Sequence, residues 1–320
     1  MKPPARTLLR LCVLLGLGLL AGAQAIAAEP ERVAVGTQVM RIYDVDLKNC
    51  SYGMDFYIWF RWQGEADPRH FELMNGRLRL KEDADYREVR GVKYVSYHCV
   101  ATMHGDFDFR SYPWDAQSLG VQVEDATHDT SRMIYVADSE NSGLQAISKV
   151  GTWEVGKPRS YVDTTIYRTS YGNPLRRPHA PTEYSRFVFV IPVTHSGWAV
   201  FLKTFLALFI SVAIACLAFL VRADELEPRF GVGIAGTFGA VSSQLVLESR
   251  IADGAHFTFA DQVHHLGLIV VFLSLLQSCI SLRLWRAGKE VRSQKLDAVC
   301  ALVFPLAFTL LVLLAALLNT

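Results

Sequence analysis

The sequence predicts an all-β extracellular sandwich of immunoglobulin-like topology, followed by a four-helix transmembrane domain. Three observations predict it. Apolar and polar residues alternate along the middle of the chain, which is the period of half-buried strands. Long apolar runs crowd the chain beyond residue 196. A basic start followed by a short apolar run opens it.

The opening segment reads as a signal peptide, residues 1–28. Lys2, Arg6 and Arg10 precede "LCVLLGLGLLAG", and small residues end at Ala25 and Ala28. The following domain is then expected outside the cytoplasmic membrane, in an oxidising compartment. The formal net charge of +1 argues against a nucleic-acid partner.

Residues 29–195 read as the sandwich. In "MDFYIWFRW" (54–62), Met54, Phe56, Ile58, Phe60 and Trp62 share one face, and Asp55, Tyr57, Trp59 and Arg61 the other. "SLGVQVED" (118–125), "YVDTTIYRT" (161–169) and "FVFVIPVT" (187–194) alternate in the same way. "DSENSG" and "YGNPLRRP" are turn clusters between strands. Cys12 leaves with the leader, and Cys216, Cys279 and Cys300 lie in apolar runs. Cys50 and Cys99 remain as a candidate disulfide or as two unpaired thiols.

Residues 196–320 read as the membrane domain, with spans at about 197–221, 229–249, 263–284 and 297–318. The second span is unlike the others. It carries four glycines, three serines, a threonine and a glutamine, which suits a helix facing water or other helices rather than lipid. The segment 283–295 holds Arg283, Arg286, Lys289, Arg292 and Lys295 against one glutamate, a positive-inside loop. The sandwich and the carboxyl terminus are then both expected on the outer side of a bacterial inner membrane.

No nucleophile elbow, zinc helix or phosphate loop occurs, so no enzyme and no cofactor is expected. "GVGIAGTFG" is glycine-rich but lies inside a span. His195, His256, His264 and His265, with Asp261 among the last, match no metal-ligand spacing, so no metal site is expected. Four spans without internal repeats argue against a transporter.

One stretch fits none of these classes. "GDFDFRSYPWDAQSL" (105–119) sets aromatic rings around Pro113, with Asp106, Asp108, Arg110 and Asp115 among them. Its core, "DFRSYPWDAQSL", resembles the signature loop of the pentameric ligand-gated ion channels, in the bacterial form that lacks the loop cysteines. "MDFYIWFRW" is similar to that family's second strand, "GTWEV" (151–155) to the strand before its ligand-capping loop, and "LVLES" (245–249) to the outer end of its pore helix. "FTFADQVHHLGL" (257–268) is similar to the start of its third span.

The resemblance implies a homopentamer in a lipid bilayer that passes inorganic ions when a small ligand or protons bind outside. It puts Gly231, Ala235, Phe238, Ser242, Leu245 and Ser249 on the pore face, a spacing of alternating four and three that one helix face shares. The alternative for this stripe is a packing surface. Phe238 and Leu245 become apolar gates. Glu227 becomes a carboxylate ring at the cytoplasmic mouth that favours cations, with Arg229 opposing it if it also faces the lumen, and Glu248 is a second candidate ring. Tyr112, Pro113, Trp114 and Asp115, with His195 where the family usually has arginine, become the coupling between domains. Ala207 stands where a first-span proline is usual. Tyr167 and Tyr171 of the capping loop, with Trp59 and Arg61 from a neighbour, become the agonist contacts; Arg176 and Arg177 offer an anion contact instead. The competing class is a membrane-anchored ligand sensor that conducts nothing.

Overall fold

A computed structural model describes residues 29–145, 149–172, 177, 179–195, 198–252 and 257–319. The leader, Arg176 and His256 lie outside the described residues. Two six-stranded sheets form a sandwich-like region, and four apolar helices follow.

The first sheet runs β4 (Gly76–Val89), β5 (Val92–His104), β2 (Ser51–Trp62), β1 (Glu31–Asp46) and β7 (Met133–Ala137), with β8 (Gly143–Leu144) also beside β1. The second runs β3 (Phe71–Leu73), β6 (Ala116–Asp125), β12 (Thr182–His195), β10 (Trp153–Val155) and β9 (Lys149–Val150), with β11 (Arg159–Tyr167) also on β12. The alternation predicts the inner faces. Met54, Phe56, Ile58 and Phe60 of β2 are fully buried against Leu119, Val121 and Val123 of β6 and Phe187, Phe189, Ile191 and Val193 of β12. Each such side chain contributes about 1.5–3 kcal/mol by leaving water.

A polar clamp joins the sheets through this core. The buried Tyr52 hydroxyl donates to the Gly120 carbonyl at 2.9 Å and accepts from the Gly120 N–H at 2.8 Å. Only glycine fits there, because a Cβ on residue 120 would stand 1.9 Å from the Phe189 carbonyl oxygen.

The candidate disulfide does not form. Cys50 and Cys99 are free thiols. The β2–β5 register pairs Ser51 with His104 and Phe56 with Cys99. Five residues of strand, about 17 Å, therefore separate Cys99 from the turn that holds Cys50, far beyond disulfide reach. Cys99 sits in the apolar core, where burial pushes its thiol up to about 12.

The helices are α1 (Trp198–Leu217, continued by a 3-10 turn Ala218–Leu220), α2 (Leu226–Glu248), α3 (Phe259–Arg286) and α4 (Glu290–Asn319). All four are long and apolar enough to cross a membrane, and α2 is the least apolar. This makes the chain a multi-pass membrane protein. Helices α2, α3 and α4 all start earlier than their apolar runs. At α3, Thr258 and Asp261 form a capping box: the Asp261 N–H donates to Thr258 Oγ1 at 3.1 Å, and the Thr258 N–H to Asp261 Oδ2 at 2.9 Å. At α4, polar residues carry the helix from Glu290 to the apolar run. Helices α1 and α2 touch at Gly236, where a Cβ would lie 2.8 Å from the Ser211 carbonyl oxygen.

Candidate pore helix and domain junction

Helix α2 has two unlike faces. Gly233, Gly236, Ala240, Ser243 and Leu247 are buried against the other helices. Gly231, Ala235, Phe238, Ser242, Leu245 and Ser249 all turn away from the bundle, with Phe238 71% and Leu245 60% exposed. The structure thus puts all six predicted residues on one uncovered face of a single chain. Glu227 is exposed in the first turn of α2, where a carboxylate suits the helix dipole. Glu248 is exposed at the other end and accepts from Gln244 at 3.0 Å.

Arg229 does the opposite of Glu227. It is fully buried. Its guanidinium grips Asp297 of α4 in a bidentate pair, Nη1 to Oδ2 at 2.9 Å and Nη2 to Oδ1 at 2.6 Å. Nη1 also donates to the Val221 carbonyl at 2.9 Å, and Nη2 to Gln277 Oε1 of α3 at 3.3 Å. Gln277 and Ser281 each donate to the same carboxylate, at 2.6 and 2.9 Å. Sequence reasoning missed Asp297 and Gln277. A signal existed: Asp297 is an ionisable residue at the start of an apolar span, and Gln277 and Ser281 are four apart in another.

The aromatic turn at 105–119 seats on the opposite end of the bundle. Phe109 and Tyr112 are buried within the helical core rather than the sandwich core. Trp114 stacks on Phe201 of α1, with centroids 5.1 Å apart, and on Phe259 of α3 at 5.4 Å. The Phe259 N–H donates to the Arg110 carbonyl at 2.9 Å. Ser111 Oγ donates to the Asn319 carbonyl of α4 at 3.2 Å. The turn therefore touches α1, α3 and α4, and the Tyr112–Pro113 bond is cis. From the β1–β2 turn, Lys48 Nζ reaches the Glu248 carbonyl of α2 at 3.2 Å.

His195 and Asp115 lock this junction from the sheet side. The buried imidazole Nδ1 lies 2.8 Å from Asp115 Oδ1, and the His195 N–H donates to the Asp115 carbonyl at 3.1 Å. Nε2 lies 3.0 Å from Thr152 Oγ1, and Trp153 lies flat on the ring with centroids 3.5 Å apart. Gln117 donates to Asp115 Oδ2 at 2.7 Å. The four predicted turn residues and His195 are thus brought together. His264 is elsewhere: it is buried, with Nε2 3.0 Å from Ser243 Oγ of α2 and Nδ1 2.9 Å from the Ala260 carbonyl.

The predicted agonist contacts divide between the sheets. Tyr167 ends β11, with Tyr171 and Tyr184 packed edge-on at 6.0 and 5.8 Å. Arg186 Nη2 donates to the Tyr167 hydroxyl at 2.9 Å, and Arg186 Nε to the buried Glu124 carboxylate at 2.7 Å. Burial, then the Glu124 charge, pushes the Tyr167 phenol up. Trp59 and Arg61 lie on β2 of the other sheet, where Trp59 Nε1 donates to Asp138 at 3.2 Å. One chain does not assemble the four around a common space. Arg177 is exposed.

Compared with known proteins, the chain matches no protein-family profile and no curated protein.

Proposed function

We propose that this chain is one subunit of a pentameric ligand-gated ion channel, cation-selective, opened by a small ligand or by protons acting on an outer domain of immunoglobulin-like topology. The carrying observation is the uncovered face of α2. A face that sets Gly231 and Ala235 before Phe238, and Ser242 between Phe238 and Leu245, is poorly suited to acyl chains and well suited to lining water. Five copies around an axis turn this face toward a shared lumen. Phe238 and Leu245 then form apolar constrictions that stop ions by dewetting. Glu227 rings the cytoplasmic mouth and attracts cations.

The seated turn supports the same reading. A ligand held under the Tyr167–Tyr171 loop, with Trp59 and Arg61 supplied by the neighbour, moves the sandwich. The Trp114 knuckle passes that movement to α1 and α3. The basic loop after α3 supports an orientation with the sheets on the outer, periplasmic side of a bacterial inner membrane.

The test is recording from purified protein in planar bilayers across pH, ligand and cation type, with particle mass measured in parallel. Gated cation currents from a pentamer are expected. A folded pentamer silent under every condition favours a non-conducting ligand sensor, and a monomer removes the pore altogether.

A further inference from the structure

We infer that Asp297, on the last helix and away from the pore face, sets the ion preference of the channel by holding Arg229 out of the lumen. The inference rests on the channel reading above and concerns the charge at its cytoplasmic mouth. Glu227 and Arg229 are two residues apart at the start of α2, so equal and opposite rings at the mouth would nearly cancel. The structure separates them. Glu227 is exposed, whereas Arg229 is fully buried.

The separation has a built cause. A buried guanidinium without a counter-charge is strongly unfavourable, so Arg229 stays inside only while a carboxylate meets it. Asp297 meets it with both oxygens, and Gln277 and Ser281 fix that carboxylate from α3. The Val221 carbonyl takes a further donor. Arg229 Nε has no partner among the described residues, so the guanidinium leans on Asp297 for its charge balance. Asp297 therefore acts as a positioning residue: it touches no ion, and it decides which charge the mouth presents.

Two variants test this by reversal potential in asymmetric salt. Asp297→Asn removes the counter-charge and sends the Arg229 side chain to the nearest water, the mouth. The cation-to-anion permeability ratio is expected to fall by about threefold or more, the factor one unit charge exerts on another within roughly 7 Å of water. An unchanged ratio overturns the inference. The neutral pair Arg229→Gln with Asp297→Asn keeps hydrogen-bonding groups in place without a buried charge, and covers the case in which the single variant fails to assemble. Its ratio is expected to equal that of the parent, because Arg229 contributes nothing to the lumen there. A raised ratio overturns the inference, since it means that Arg229 already faced the ions. A parent protein that conducts no ions defeats the channel reading instead, and the two failures are thereby distinct.

Discussion

The ring of Trp114 lies within 8° of parallel to the ring of Phe201, their centroids 5.1 Å apart. One ring belongs to a turn between two strands, and the other to the first membrane helix. With Phe259 on the third helix, Trp114 closes an aromatic stack across the junction. Such pairs contribute about 0.5–1.5 kcal/mol each beyond buried area. Trp114→Ala should therefore loosen the junction without unfolding either part. Hydrogen exchange at the Phe259 amide, which bonds the Arg110 carbonyl, should speed up several-fold while amides of β2 and β6 keep their rates. Equal protection before and after the change would show that the stack holds nothing.

Asp115 is the hub on the sheet side. Asp115→Ala strips acceptors from the His195 ring and the Gln117 amide, both buried. Leaving buried polar groups unmatched costs about 1–3 kcal/mol each. The melting temperature should drop by several degrees, and Asp115→Asn, which keeps an acceptor for one of the two partners, should recover part of it. Indistinguishable melting curves for the alanine variant and the parent would contradict the assigned bonds.

Tyr52→Phe should cost about 1–3 kcal/mol, because it leaves the Gly120 N–H without its side-chain partner inside the core, while the Gly120 carbonyl keeps the Asn75 amide as a donor at 3.0 Å. The same hydroxyl gives an alkaline limit. Burial pushes the Tyr52 phenol up to about 12, above its ordinary value of 10.0. Its contribution is fully present below pH 10 and is lost as pH rises from 10 toward 12, where the unfolded chain sheds the proton first. Denaturant midpoints measured across that window should fall for the parent and stay flatter for the phenylalanine variant.

On the proposed channel reading, Phe238→Ala should widen an inner apolar constriction and raise the resting conductance, read as current without agonist. Glu227→Gln should lower cation preference, read as a shifted reversal potential. A closed-state leak identical to that of the parent would remove Phe238 from the gate, and an unmoved reversal potential would remove Glu227 from the selectivity ring.

Much of this architecture was legible where one face is wet and the other dry. Strands β2, β6, β11 and β12 alternate, and the structure has them as strands. Strand β1 hides its period, since Val35, Gly36 and Thr37 are all buried: the Trp59 ring lies over Gly36, which closes the outer face there. Strand β4 hides too, because it is an edge strand whose Arg77, Arg79 and Lys81 read as solvated charge. The exposed stripe of α2 followed from its spacing. The fate of Arg229 did not, because its partner lies 68 residues along the chain and no local pattern pairs them. The same holds for Cys50 and Cys99, whose separation depends on strand register rather than on composition.

Trp153 resting flat on the His195 imidazole gives the chain an optical reporter of its own. Indole emission dims when a neighbouring imidazole quenches it and brightens when the rings part. Fluorescence recorded as solution conditions change thus offers a label-free clock for events at the seam between sheets and helices, on a molecule carrying no dye and no engineered probe.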